Sequence, residues 1–205
     1  MLSDQLLPWP LFYSFRMNKN DKILFDKTIK KSSGYLEFGM GGSTIRALKV
    51  SKANVFSIES SLDWIKLMRK YFFIRYMENK RLSLYHVDIG PVKKWGVPIS
   101  DHLKESFPDY SSKIFKEIKG EVIDSVLIDG RFRVACALST IMEFHKNENL
   151  NILIHDFFRR SHYHIVLKYL DEVDRAESLG VFKIKQGVNL DLVKKDYDEY
   201  KYNPA

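Results

Sequence analysis

Tyr35-Leu-Glu-Phe-Gly-Met-Gly-Gly-Ser-Thr44 is the stretch that decides the fold of this chain. It reads as a short apolar strand with an acidic residue, a glycine turn, and two hydroxyl residues opening a helix. Gly39, Gly41 and Gly42 lack a Cβ, so the turn can take positive φ and bring backbone against a ligand. Ser43 or Thr44 can cap the helix, whose first amides are otherwise unpaired. A phosphate-cradling NTPase loop would end in Gly-Lys-Ser/Thr, and no lysine stands in this stretch before Lys49. The dinucleotide fingerprint needs a third glycine where Thr44 stands. Glu37 is a second objection, because a carboxylate at a strand tip repels a pyrophosphate and suits a ligand bearing an ammonium group.

Outward from this turn, apolar runs alternate with helical patterns. This is the βαβ rhythm of an α/β, doubly wound parallel sheet with helices on both faces. A leading helix is expected over 21–31, with Ile23, Leu24 and Ile29 inward. Strands are expected over 34–38, 54–58, 82–87, 125–128 and 151–154, and helices over 43–51, 61–79, 131–145 and near 162–170. Ser60 or Ser61 caps the second of these helices. The proline-bearing region from Gly90 to Gly120 reads as loop with one helix near 111–118, and the runs 174–177 and 181–185 as a closing hairpin around Leu179-Gly180. The organisation is then an arm and helix over 1–33, a ligand-binding domain over 34–186, and a polar, partly mobile tail over 187–205.

A chain of 205 residues, 45% hydrophobic and 29% charged, fits one globular domain. The lone Cys136 excludes an internal disulfide framework and suits a reducing, cytoplasmic setting; within the apolar run 134–138 it reads as packing. No apolar run reaches the length of a membrane span. Residues 1–17 hold Leu6, Leu7, Trp9, Leu11, Phe12, Tyr13 and Phe15, with Asp4, Pro8 and Pro10 and no basic leader. That pattern argues against a signal peptide. It suits an arm packed over the body or over a second subunit of a homodimer, with a lid over the ligand as the alternative. The net charge of +7 is spread out, and Lys66, Arg69, Lys70, Arg75, Lys80 and Arg81 read as a solvated helix face. No nucleic-acid-binding signature accompanies them, so nucleic acid is not expected as a partner.

Ligands of an open α/β sheet bind beyond the carboxyl ends of its strands. Strands one to five end there in Glu37, Glu59, Asp88, Asp129 and His155-Asp156. Glu59 lies about twenty residues past the glycine turn, the distance at which a carboxylate accepts ribose hydroxyls, whether of NAD or of another nucleoside. His155 beside Asp156 is the first candidate for a general base, against a structural histidine. His162 and His164 point to different helix faces, so at most one of them can serve. Arg131, Arg133, Arg159 and Arg160 border the same edge and could grip an anion or form surface ion pairs. Trp95 could stack on a substrate ring or anchor its loop.

The Tyr35–Thr44 segment resembles the first motif of class I SAM-dependent methyltransferases, with strand, acid and Gly-x-Gly in that order and Ser43 at the usual third glycine. The strings LEFGMGGST, DIGPVKKWGVP, LIDGRFRVACAL and ILIHDF are similar to a group of bacterial methyltransferase-like proteins, over roughly residues 35–185. The resemblance implies a seven-stranded, mostly parallel sheet with a terminal antiparallel hairpin, and S-adenosylmethionine as cofactor. It implies a site in which Glu37 meets the ammonium group and the turn (Gly39, Gly41, Gly42, Ser43, Thr44) approaches the cofactor. Glu59 and Ser60 would meet the ribose, and Asp88 and Ile89 the adenine. Asp129 and Arg131 would lie beside the methyl group with His155 and Asp156. Some O-methyltransferases of similar fold hold a divalent cation between acids ending strands four and five, so Asp129 and Asp156 would be two ligands of an ion such as Mg²⁺. A distant similarity to plant methyltransferases acting on glucuronic acid in xylan implies a small or carbohydrate-type, anionic acceptor methylated on oxygen. An NAD-linked enzyme, or a degenerate methyltransferase-fold binding protein, is the alternative.

Overall fold

The computed structural model describes residues 6–205; Asp4 and the rest of residues 1–5 of the expected arm lie outside them. Seven strands form one sheet: β1 (Gly34–Phe38), β2 (Asn54–Glu59), β3 (Leu82–His86), β4 (Ser125–Ile128), β5 (Asn151–Ile154), β6 (Leu170–Arg175) and β7 (Gly180–Ile184). Their order is β3-β2-β1-β4-β5-β7-β6. The first five are parallel, and β7 runs antiparallel to both β5 and β6. The doubly wound sheet and terminal antiparallel hairpin therefore match the sequence reading.

Successive strand side chains alternate between two cores. Leu36, Phe38, Val126, Ile128, Ile152 and Ile154 enter one cluster, while Tyr35, Leu127 and Leu153 enter the other. Burial on both faces is why these strands read as continuous apolar runs. One face is covered by α1 (Lys19–Ile29), α2 (Gly42–Val50), α3 (Leu62–Met68) and α4 (Phe72–Glu78). The other is covered by α5 (Phe107–Ser112), α6 (Ile114–Glu117), α7 (Arg133–Phe144) and α8 (Leu190–Tyr200).

Several expectations are corrected. On α1 the inward face carries Asp21, Leu24, Phe25 and Ile29, and Ile23 is 57% exposed. The cause is Asp21, whose carboxylate accepts from the backbone amides of Ser178 and Leu179 at 3.0 and 3.1 Å and so belongs inside. The long helix over 61–79 is two helices, with Ser61 rather than Ser60 capping the first. The Arg75 guanidinium binds the Arg69 and Lys70 carbonyls left open at the break. Between Gly90 and Gly120 the chain forms α5, α6 and two short 3-10 turns. The helix near 162–170 is 3-10 over Ser161–Lys168. β6 starts at Leu170 rather than 174, because this edge strand, Leu-Asp-Glu-Val-Asp-Arg, exposes mostly charge and hides its strand signal.

The polar tail is also ordered as α8, which packs on α7. Asn189 caps α8, Val193 is buried, and Asp196 accepts from Tyr169 Oη and Lys168 Nζ at 2.8 and 2.9 Å. The apolar arm packs on its own body, with Trp9 edge-on to Phe73 and Lys49 Nζ donating to the Pro10 carbonyl at 2.6 Å. Among the described residues, no helix is long and apolar enough to cross a membrane.

Candidate functional site

Strand order reverses between β1 and β4, so a crevice opens where their carboxyl ends diverge. Gly39, at φ +101°, brings the two turns into contact, since a Cβ on it would lie 2.7 Å from Gly130 Cα. A Cβ on Gly42 would lie 2.1 Å from the Ser14 carbonyl oxygen, so the arm lies directly on the turn. Gly41 is different, because a Cβ there meets nothing within 4 Å. Of the three glycines, Gly41 is the one that faces open space, next to the first amides of α2.

Glu37 does not face that space. Its side chain is fully buried and accepts from Tyr35 Oη at 3.0 Å, Ser43 Oγ at 2.9 Å, Ser57 Oγ at 2.7 Å and the Thr44 hydroxyl. The expectation that it meets a ligand's ammonium group is corrected: four hydroxyls take up its acceptor capacity, and it clamps the turn from beneath. Burial raises its pKa from 4.5 to about 7, against the lowering effect of those hydroxyls. Ser43 and Thr44 are likewise turned inward, and Thr44 Oγ1 also accepts the Gly41 amide at 2.9 Å, which caps α2.

Glu59 ends β2 at the crevice wall. Its Oε1 accepts the Ser61 amide at 2.8 Å and Ser60 Oγ at 3.4 Å. Burial raises its pKa, opposed by the amides of Ser61, Ser60 and Met40. Met40 in the glycine turn also accepts from Trp64 Nε1 at 2.7 Å, so turn, β2 tip and α3 form one wall. Asp88 is exposed just past β3 and accepts the Gly90 amide at 2.9 Å. Ile89 is a core residue at 0% exposure, so the expectation that it lies against a ligand ring is corrected.

At the ends of β4 and β5 the organising residue is Arg133, which the sequence reading placed among arginines that grip an anion or form surface ion pairs. It is 4% exposed and donates to the carbonyls of Gly130 (3.0 Å), His155 (2.5 Å) and Asp129 (3.3 Å). Its guanidinium also lies 3.1 Å from Asp129 Oδ1 and 3.4 Å from Asp156 Oδ2. That is the place a cation shared by these two acids would take. Among the described residues no group of three or more His, Cys, Asp and Glu is arranged to hold a metal ion. The donor set therefore does not fit the expected Mg²⁺ site.

His155 Nδ1 lies 2.8 Å from Asp129 Oδ1, and its Nε2 lies 4.0 Å from Asp21 Oδ2. Burial lowers the His155 pKa, but the hydrogen bond and charge of Asp129 outweigh it and the net shift is upward. One ring nitrogen is therefore paired with Asp129, and the other faces the buried Asp21. Burial pushes Asp129 up, yet the His155 hydrogen bond and the charges of Arg133, His155 and Arg131 hold it below the usual carboxylate range. Of the other two candidate histidines, His164 Nε2 lies 3.0 Å from the Phe157 carbonyl oxygen, and His162 sits edge-on to Tyr163.

Arg131 reaches toward the loop after β3, its Cγ 3.5 Å from where a Gly96 Cβ would be. Trp95 in that loop has φ +70°, is 58% exposed, and carries the Arg16 guanidinium 5.0 Å above its ring. The segment from Ser14 to Arg16 thus runs from the glycine turn to this loop. Sequence reasoning missed the buried Asp21, the bridging role of Arg133 and the landing point of the arm.

The fold is that of the class I SAM-dependent methyltransferases. It is similar to a methyltransferase-like protein (spo2022) from Silicibacter pomeroyi DSS-3, with a TM-score of 0.80 and 26% identity, covering 94% of this chain and 98% of that one. SMU.1697c from Streptococcus mutans, in complex with SAH, aligns at TM-score 0.48 and 10% identity over 82% of this chain and 100% of its own. Precorrin-6y C5,15-methyltransferase from Geobacter metallireducens GS-15 aligns at 0.43 and 8% over 86% and 94%. At these lower scores the last two add nothing about chemistry. No protein-family model matches the chain, and no curated protein matches it.

Proposed function

We propose that the chain is a SAM-dependent methyltransferase that transfers its methyl group to an oxygen of a small or carbohydrate-type acceptor, in a cytoplasmic setting. The observation that carries this is the open face of the turn at Gly41, flanked by the Glu59 tip of β2 and the Asp129 end of β4. S-adenosylmethionine, when bound, supplies a sulfonium-activated methyl carbon. The first amides of α2 suit its carboxylate, and Glu59 suits the ribose hydroxyls. Asp129, ionised and 26% exposed at its side chain, orients the acceptor hydroxyl. With the donor bound, Asp129 would accept the proton that the acceptor hydroxyl gives up. Arg133 and His155 hold Asp129 in place for this role.

Thermal unfolding of the full chain with S-adenosylmethionine, S-adenosylhomocysteine or NAD tests the cofactor. A native-state ligand at a hundred times its Kd stabilises by about 2.7 kcal/mol. Stabilisation by NAD and not by S-adenosylhomocysteine would overturn the assignment. Methyl transfer from labelled donor to a panel of sugar hydroxyls tests the acceptor, and turnover restricted to nitrogen or carbon nucleophiles would exclude O-methylation.

A further inference from the structure

Beyond Asp129 the crevice holds a cluster that the methyl-donor chemistry does not use. Arg133 and Arg160 converge on Tyr163, their guanidiniums 5.5 and 5.9 Å from its ring centroid. Arg131 interacts electrostatically with the same tyrosine and with both other arginines. Against these three guanidiniums stand two carboxylates, Asp129 and Asp156. Arg133 contacts both, and Arg160 Nε lies 3.9 Å from Asp156. Among the described residues, Arg131 has no carboxylate within 4.0 Å, so its charge is the one left over.

Two donors in the cluster are also idle. Arg131 Nε and Tyr163 Oη are both buried atoms without a hydrogen-bond partner, and Tyr163 is 1% exposed. A buried donor without a partner is costly, and an uncompensated guanidinium more so, so a stable chain keeps such groups where a ligand completes them. Arg131 itself is only half-buried and borders the crevice beside Gly96 and Ser60.

We infer that Arg131 and Tyr163 form an oxyanion subsite that holds a carboxylate or phosphate of the acceptor next to Asp129. The guanidinium offers a planar, bidentate fork, and the phenol adds a neutral donor. The inference rests on the methyl-donor assignment, because it is that assignment which puts the acceptor at this end of the crevice. The same chemistry could instead serve the cofactor's own carboxylate, and the experiment separates the two sources.

The test uses the full chain saturated with S-adenosylhomocysteine and titrated by calorimetry at constant ionic strength. The probes are D-glucuronate, its neutral match D-glucose, and inorganic phosphate. An anion, glucuronate or phosphate, should bind at least about tenfold more tightly than glucose, the difference one hydrogen bond to a charged group supplies. Arg131→Met should erase that preference while keeping S-adenosylhomocysteine affinity and the far-UV spectrum, and Tyr163→Phe should weaken it. Wild-type protein that binds S-adenosylhomocysteine without preferring an anion would overturn the subsite alone. A loss of S-adenosylhomocysteine binding in Arg131→Met would also overturn it, by giving the arginine to the cofactor. Failure of the wild type to bind S-adenosylhomocysteine would overturn the methyl-donor assignment, and the subsite with it.

Discussion

Replacing Glu37 with glutamine exchanges one oxygen for an amide nitrogen inside a closed cage of hydroxyls, with almost no change in volume. Unfolded, Glu37 titrates at its ordinary 4.5; folded, it titrates at about 7, because burial penalises the charge more than four hydroxyls relieve it. Between these values the native state holds a proton that the unfolded chain has lost. Stability therefore falls as pH rises through this window, at about 1.4 kcal/mol per pH unit, for a total of about 3 kcal/mol. The penalty is absent below pH 4.5 and complete above pH 7. Glutamine does not titrate, so the difference between wild type and Glu37→Gln isolates this one group. With a urea m-value of about 2 kcal/mol/M, the gap between the two unfolding midpoints should change by about 1.5 M from pH 4.5 to pH 8. Far-UV circular dichroism of urea unfolding at constant ionic strength reads this directly. Parallel pH profiles would refute the reasoning, because they would mean the hydroxyl cage alone keeps the carboxylate ionised. Glu37→Ala goes further and strips four hydroxyls of their acceptor at about 1–3 kcal/mol each. Two of those hydroxyls, on Ser43 and Thr44, open α2, so cofactor affinity should fall along with stability.

Gly42→Ala drives a methyl group toward the Ser14 carbonyl, 2.1 Å away, and should lift the arm at a cost of about 1–3 kcal/mol. Faster proteolytic removal of the arm reports it, and wild-type resistance would mean the arm does not rest there. Arg133→Met leaves Asp129 and Asp156 without their shared partner, with an expected loss of about 3–5 kcal/mol in chemical unfolding. A loss below 1 kcal/mol would deny Arg133 its bridging role. The raised His155 pKa means its contribution to stability is full below the ordinary 6.5 and fades as pH rises through the folded value. An imidazole NMR titration should place that value above 6.5, and one below it would remove the Asp129 pairing. Since a guanidinium bridges the two acids, methyl transfer should persist after EDTA treatment, and full dependence on added Mg²⁺ would reverse the metal correction.

How much of this was legible follows from where each group sits relative to a strand end. β1, β4 and β5 are buried on both faces, so four or five consecutive apolar or near-apolar residues announce them. β6 lies at the sheet edge, where exposed charge is tolerated, and α8 buries only a narrow stripe around Val193, so both pass for polar linker. The acids at the strand tips share a residue type and an edge, and sequence alone treats them as one set. Register divides them. Glu37 is the penultimate residue of β1, still inside the pleat, so its side chain is turned onto one face of the sheet and into the hydroxyls of α2 and β2. Asp129 and Asp156 come after the last residues of β4 and β5, where the pleat no longer dictates direction, and they reach the crevice rim. Glu59, the last residue of β2, lies between these cases: its side chain is nearly buried, yet it caps the wall. Here the acid one residue inside its strand is a clamp, and the acids one and two residues beyond theirs reach the rim. That two-residue difference lies within the uncertainty of a strand boundary inferred from periodicity.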